Sequence, residues 1–519
     1  GDDNNSGLTA DQPLRSTSKA FQLIKNNPDN PRTVHLPAGD YSNCANGYDN
    51  LPITVKSNTT LQGVSAEETI IDGADMKVVY MVGVINASQT GENVTIRNLS
   101  LLNRRGCAIK SSSVMNLKIE DIIVDNCNNI GTWDRTLLLG SVAYSSVYMK
   151  NVLIQNSVSN FYEAAGRVEG IDVVMDNVIV RNNTNTHDSD AGLVGILEVH
   201  IINILTVKNS QFINNQSAVQ NDGGSNIRFY AWSDTLSTIM DNCLFANNSN
   251  GSSSRNIHLN SNKIMINNCT FANNTGGMNY TTTLIASESI EVYNTIFSNN
   301  SQIYAMAYGP APILIDNCLF SNDPSSVIYS NNPHPYTLGD NNLYGANPLF
   351  AGTDPSNPTY YMLAGDDLNG YSPAIDAGSR DFSFMPDWYE VSEFDLYGNP
   401  RIFDDRVDIG CYEYQGYTVD NMVETVTDKF TAFNYPNPFN PETTIEFNNP
   451  VQGEVNVSIY NLKGQLVKKL LQENLSQGVH KIVWNGTDSN EKQVSSGVYF
   501  YRINSANKES ITKKIILMK

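Results

Sequence analysis

The sequence predicts an all-β chain: a right-handed parallel β-helix (a solenoid) over residues 30–345, and an immunoglobulin-like β-sandwich over residues 433–519. Three observations carry this. A ten-residue pattern (apolar, x, apolar, x, Asn, x, x, apolar, x, Asn) recurs nine times, at spacings between 23 and 33 residues. Two columns of that pattern are almost wholly Asn. Beyond residue 433 the pattern gives way to proline-punctuated, alternating apolar and polar runs. A constant strand joined by loops of changing length is what stacked coils produce, because every coil needs the same inward face but tolerates any surface loop.

At the N-terminus, residues 1–29 read as a polar segment and a capping helix. The run Ser18-Lys19-Ala20-Phe21-Gln22-Leu23-Ile24 has a Ser cap and an apolar face suited to closing the open end of the stack. No apolar leader precedes it, so a signal peptide removed upstream is expected. The polar start GDDNNSGLTADQP is expected to be held by its own body or by a neighbouring subunit, for which strand addition is one route. Less regular opening strands follow at Thr33–Tyr41, Ile53–Val55, Thr60–Gly63 and Thr69–Gly73.

The nine copies begin at Val94, Leu117, Val147, Val173, Leu205, Thr238, Ile264, Ile290 and Ile313. The first polar column is Asn98, Asp121, Asn151, Asn177, Asn209, Asn242, Asn268, Asn294 and Asn317. The second, five residues on, is Asn103, Asn126, Asn156, Asn182, Asn214, Asn247, Asn273, Asn299 and Asn322. Asn tolerates the left-handed backbone of a tight bend. Its amide can also donate to one neighbouring coil and accept from the other, about 4.8 Å away, so both columns are expected to form ladders. Two residues before the second Asn, an aliphatic column becomes Phe212, Phe245, Phe271, Phe297 and Phe320, a predicted core stack. The residue after the first Asn is Cys243, Cys269, Thr295 and Cys318 in the late coils, read as small buried groups, free thiols rather than a Cys243–Cys269 bridge.

Composition sets limits on function. Only 17% of residues are charged, the net charge is −20 and the pI is about 4.6, which argues against nucleic acid or an anionic membrane as partner. Residues 433–519 carry ten Lys/Arg against seven Asp/Glu, a shift that marks a boundary near 430. Seven cysteines without a CxxC pair make neither a disulfide framework nor a zinc site. No apolar run is long enough for a membrane-spanning helix.

Two resemblances become specific at this point. LPAGDY, ITVKSNTTLQG and TIIDG resemble the opening coils of pectin-lyase-like right-handed β-helix proteins. ANPLF, SPAIDAGS and GNPRIFDDRVDIGCYEY, within residues 346–414, resemble the terminal segment of many secreted bacterial β-helix proteins. That superfamily includes lyases, hydrolases, adhesins and inert scaffolds, so the likeness implies a fold and not a reaction. After a linker at 415–432, NPFNP, IYNLKGQLVKKL, GVHKIVWNGTDSNEKQVSSGVYFYRI and KKIILMK closely resemble the type A sorting domain of type IX secretion cargo. The motif positions are Pro436, Pro438, Pro441, Gly464, Trp484 and Gly497, and the sandwich strands are expected at Val455–Tyr460, Gly478–Trp484, Gly497–Ile503 and Ile511–Leu517. The resemblance implies the type IX machinery as partner and an extracellular or outer-surface location. Such tails are usually cut off in transit; its presence here is expected to go with surface attachment rather than simple release.

Signals of chemistry are sparse. The outward column before the first Asn reads Arg97, Glu120, Lys150, Asp176, Lys208, Asp241, Asn267, Tyr293 and Asp316. Alternating signs on stacked coils suit a salt-bridge ladder. Lys150, Asp176 and Lys208 are the only catalytic candidates it offers. Asp188 and Asp190, in a polar loop, are weak metal candidates, and Asp366-Asp367 and the 404–408 run lack ordered ligand spacing. Ca²⁺ is the one cofactor left open. Glu163, Arg167 and Glu169 sit in an insertion without an assignable partner. Tyr148, Val174, Ile239, Met265 and Leu314 point outward and suggest contact with loops, glycan or another subunit. The sequence therefore favours a secreted structural or adhesive surface protein, with a self-assembling filament as its extended form. The alternatives are a polysaccharide lyase or glycoside hydrolase acting on an acidic polysaccharide, and a non-catalytic glycan-binding protein.

Overall fold

A left-handed residue at each bend shapes the coil. Every member of the two polar columns except Asn322 has φ between 47° and 59°, a region that Asn and Asp enter more cheaply than other side chains. The computed structural model describes residues 2–517 apart from 42–51, 74–76, 85–90, 104, 112–113, 131–134, 141–144, 188–193, 219–224, 232–236, 252–254, 277–279, 300–301, 308–311, 324–327, 330–335, 354–359, 367–369, 404, 416–430, 436–438, 440–441, 450, 462–463, 477 and 506–509. Asp188, Asp190, Pro436, Pro438, Pro441, Cys44 and nearly all of the 415–432 linker lie outside the described residues.

The coils build three parallel-paired faces. The first face runs from Arg32–His35 to Thr337–Leu338. Its rows align Val94 with Leu117, Val147, Val173, Leu205, Thr238, Ile264, Ile290 and Ile313 in unbroken register. The first polar column then turns the chain onto a second face, from Gly39–Asp40 to Leu343–Tyr344. The third face, from Ile53–Val55 to Ile328–Tyr329, precedes the first in each coil. Alternate side chains point inward, and the core is one continuous apolar cluster from Phe21 to Phe320.

Inside the second face, the rings of Phe212, Phe245, Phe271, Phe297 and Phe320 stack at centroid distances of 4.6, 4.8, 5.1 and 5.3 Å, and Tyr344 extends the stack at 5.4 Å. The six described cysteines, Cys243, Cys269 and Cys318 among them, are buried free thiols.

The asparagine bonding differs from the expected pair of ladders. In the bend columns it is piecemeal: Asn126 donates to Asn103 (2.8 Å), Asn177 to Asn151 (2.9 Å) and Asn242 to Asn209 (2.8 Å), while Asn156 turns to Asp125 and Asn209 to Asp176. The continuous ladder lies one residue further on. Asn183, Asn215, Asn248 and Asn274 are fully buried, and each Nδ2 of the first three donates to the next Oδ1 at 3.1, 3.0 and 2.9 Å. Each also donates to a carbonyl of the preceding coil, as Asn248 does to Phe212 at 2.8 Å. A buried amide keeps its place only with its polar atoms partnered, and here the coil repeat supplies the partners.

The N-terminal end is closed by the helix Thr17–Leu23, whose Phe21 enters the core. Its cap is Ser16, not Ser18: the Ser16 side chain accepts from the Lys19 N–H. Asp3 in turn accepts from the Ser16 hydroxyl and from the backbone N–H groups of Arg15 and Ser16, so the polar start is tied to its own helix.

The chain divides into two compact units, 1–348 with 373–413, and 349–372 with 414–519. In the second unit, Thr431–Tyr435, Thr443–Asn449 and Gly478–Trp484 form one antiparallel sheet. Leu466–Leu475, Gly453–Asn461, Gly497–Asn504 and Ser510–Leu517 form the other, in that order. Trp484 is fully buried between them, 5.3 Å from the Phe439 ring, and its indole N–H donates to the Thr487 carbonyl. Gly464 closes the turn after Asn461 at φ 75°, where a Cβ would be strained.

Candidate functional site

Lys150, Asp176 and Lys208 do sit on successive coils of the first face. Lys150 is exposed, and Lys208 Nζ lies 3.8 Å from an Asp176 oxygen whose partner accepts from Asn209. Of the three, Asp176 and Lys208 compensate one another.

Asp241 departs from the expected outward ladder. It is fully buried and accepts from Asn267, the Tyr389 hydroxyl and the Ser392 N–H. The covering is residues 373–413, which fold back over the first face. Ile239 and Met265, expected to point outward, are buried against Met385, with Phe384, Tyr389 and Val391 packed around them. Tyr293 stacks on Phe384 at 4.0 Å. The strap is pinned by Arg401, a fully buried guanidinium bonded to Glu413 (2.9 Å), the Gly410 carbonyl and Asn242. Burial drives the Glu413 carboxyl up to about 9, with the Asp408 charge adding to the rise and Arg401 only partly opposing it. What suggested an interaction surface in the sequence is, at these positions, an intramolecular one.

The third face carries the densest polar array. One outward column reads Lys110, Leu138, Arg167, Glu198, Arg228 and His258 on six successive coils. The neighbouring column adds Glu169, His200 and Tyr230. Glu198 is the hub: its oxygens lie 2.8 Å from His200 Nε2, 3.4 Å from Arg167 Nε and 3.5 Å from Arg228 Nη1. Arg167 also reaches Glu169 at 2.7 Å and donates through Nη2 to His200 Nδ1 at 2.8 Å. Arg has no acceptor, so Nδ1 of His200 must accept and its proton sits on Nε2, towards Glu198. The Arg228 guanidinium lies over the Tyr230 ring, 4.5 Å from its centroid.

Behind this layer lies Glu163, almost wholly buried and ion-paired with Arg135, which itself stacks on Tyr162 at 4.1 Å. Burial raises the Glu163 carboxyl, helped by its hydrogen bond to Glu198, and Arg135 only partly opposes this. Burial would raise Glu198 too, but His200, Arg167 and the Glu163 bond outweigh it and hold that carboxyl low. Burial and the nearby Arg255 and Arg228 lower His258 to about 3, so it is neutral. Its Nε2, the Arg228 Nε and the Thr283 hydroxyl are buried atoms without a hydrogen-bond partner among the described residues.

Each cation and carboxylate here is part of a built layer. Arg167 and Arg228 keep about a fifth of their side-chain surface, while Glu198, His200 and Glu163 beneath them keep less than a tenth. Sequence reasoning had Glu163, Arg167 and Glu169 without partners, and it passed over Arg135, Glu198, His200, Arg228 and His258. Among the described residues no group of three or more His, Cys, Asp or Glu could hold a metal ion.

Comparison with known proteins places the tail. Residues 434–518 match the family model described as a secretion system C-terminal sorting domain. The chain is thus secreted to the cell surface or beyond by the type IX system, and no described helix is long and apolar enough to cross a membrane. No curated protein matches the chain. Among solved structures, one similar chain is PorZ, an essential bacterial surface component of the type IX secretion system of Porphyromonas gingivalis. The likeness is 25% identical over 17% of this chain and 11% of that one, with a TM-score of 0.14. This chain thus spans about a tenth of that relative's length.

Proposed function

We propose that this secreted chain is an adhesive surface protein, a rigid solenoid whose third face binds an anionic glycan. One observation carries the reading. Arg167 and Arg228 are partly exposed, yet each is held by a buried Glu198–His200 layer. Such preorganisation lowers the cost of binding a charged ligand. Lys110, Arg167 and Arg228 stand against Glu169 and Glu198, so these two columns carry one positive charge in excess on a protein of net −20. A filament-forming role is supported less, because Ile239 and Met265 are already covered by the chain's own strap.

A glycan-cleaving enzyme is the second reading, favoured by two neighbouring carboxyls held apart in acidity, Glu163 raised chiefly by burial and Glu198 held low by His200 and Arg167. Against it, the two carboxyls are bonded to one another, whereas glycosidase pairs stand at least about 5 Å apart to admit the sugar. A glycan array probed with the intact chain tests the proposal. Binding should be confined to anionic glycans, weaken as salt is raised, and disappear in Arg167→Ala/Arg228→Ala. Retention of no anionic glycan at low salt sinks the proposal, and release of reducing or unsaturated ends would promote the enzyme instead.

A further inference from the structure

The cations of the third face recur with a period of two coils. Lys110, Arg167 and Arg228 share one outward column, and each is separated from the next by one intervening coil. The intervening positions are Leu138, which is apolar, and Glu198, which is a carboxylate; beyond Arg228 comes the buried His258. Coils rise by about 4.8 Å, so successive cations stand about 10 Å apart along the solenoid axis. A sugar unit in an extended glycan has a length close to one coil.

We infer that the third face reads an anionic glycan lying along the solenoid axis whose charge falls on every second sugar. This rests on the glycan-binding reading above. A chain charged on each unit would set every other anion against Leu138 or against Glu198, where repulsion in a partly desolvated site is costly. A chain charged on alternate units sets its anions against Lys110, Arg167 and Arg228, and its neutral units against the intervening coils. There, an apolar sugar face can rest on Leu138, and a neutral unit passes over the almost buried Glu198 without repulsion.

Titration calorimetry of the intact chain decides it, with three probes of equal length: hyaluronan oligosaccharide, charged on alternate sugars; polygalacturonate oligosaccharide, charged on each; and neutral dextran. The expected order is hyaluronan tighter than polygalacturonate by about tenfold or more, as expected for one misplaced charge pair, with dextran unbound. Lys110→Gln, outside the Glu198 network, should weaken hyaluronan severalfold without moving the melting temperature; Arg228→Ala should weaken it more. Equal or tighter binding of polygalacturonate overturns the two-coil register and leaves the glycan-binding reading standing. Binding of none of the probes, or of dextran as tightly as hyaluronan, overturns both. Hyaluronan affinity unchanged in a folded Lys110→Gln overturns the column as the reader.

Discussion

The first and third faces of the solenoid share a backbone, a register and a core, yet their outer surfaces have opposite fates. On the first face, outward charges alternate in sign through Lys150, Asp176 and Lys208, and further along the strap 373–413 buries Asp241, Ile239 and Met265. On the third face, cations recur on every second coil, and Arg167 and Arg228 share Glu198, which keeps less of its surface than either of them. A solenoid's stability therefore belongs to its inward columns. What it touches is written in the outward columns, and two faces of one coil can be committed separately.

The comparison can be broken or sharpened by experiment. The largest effect is expected at the shared core. Phe271→Ala removes the middle ring of the stack and should cost about 3–5 kcal/mol in chemical denaturation, while the glycan affinity of molecules that fold is unchanged. Comparable in size but local to the first face, Arg401→Met leaves Glu413 and Asn242 without their buried partner. It should destabilise the strap by about 3 kcal/mol, read as protease nicking within 373–413, with third-face binding retained. Loss of glycan binding in that variant would show that the faces are not independent.

A pH titration gives a smaller effect. The Glu413 carboxyl is raised in the folded chain to about 9, chiefly by burial, against an ordinary value of 4.5. Its protonated form is the one the fold favours, so this stability is complete below about pH 4.5 and drains away as pH rises through 9. The melting temperature should fall across that window, and Glu413→Gln should flatten the fall; a melting temperature that rises towards pH 9 would contradict the assignment. The smallest effect is expected on the open part of the first face. Lys208→Ala removes a part-exposed pair with Asp176 and should change stability by less than about 1 kcal/mol.

Much of the first and second faces was legible as sequence because their spacing is constant. Within each copy, the strand, the left-handed Asn, the inward aromatic and the second Asn fall at set offsets, so reading down a column is reading the register. The interior ladder was legible too, as the doublets Asn182-Asn183, Asn214-Asn215, Asn247-Asn248 and Asn273-Asn274. What was missed is that the left-handed member bends the chain while its neighbour points into the core. The third face hides from such reading because its offset drifts. Arg167 precedes its first-face row by six residues, at Val173, and Arg228 by ten, at Thr238.

By itself, then, the sequence determined the solenoid, its bends, its ring stack and the exported sandwich tail, since each rests on local pattern or local backbone preference. The tertiary structure alone decided which outward residues meet. Arg167, Glu198 and Arg228 are about 30 residues apart along the chain and one coil apart in space. Arg401 reaches Asn242 across 159 residues. Neither contact has a periodic trace, because a loop of any length can return the chain to the same face and a strap can return to any coil its side chains fit.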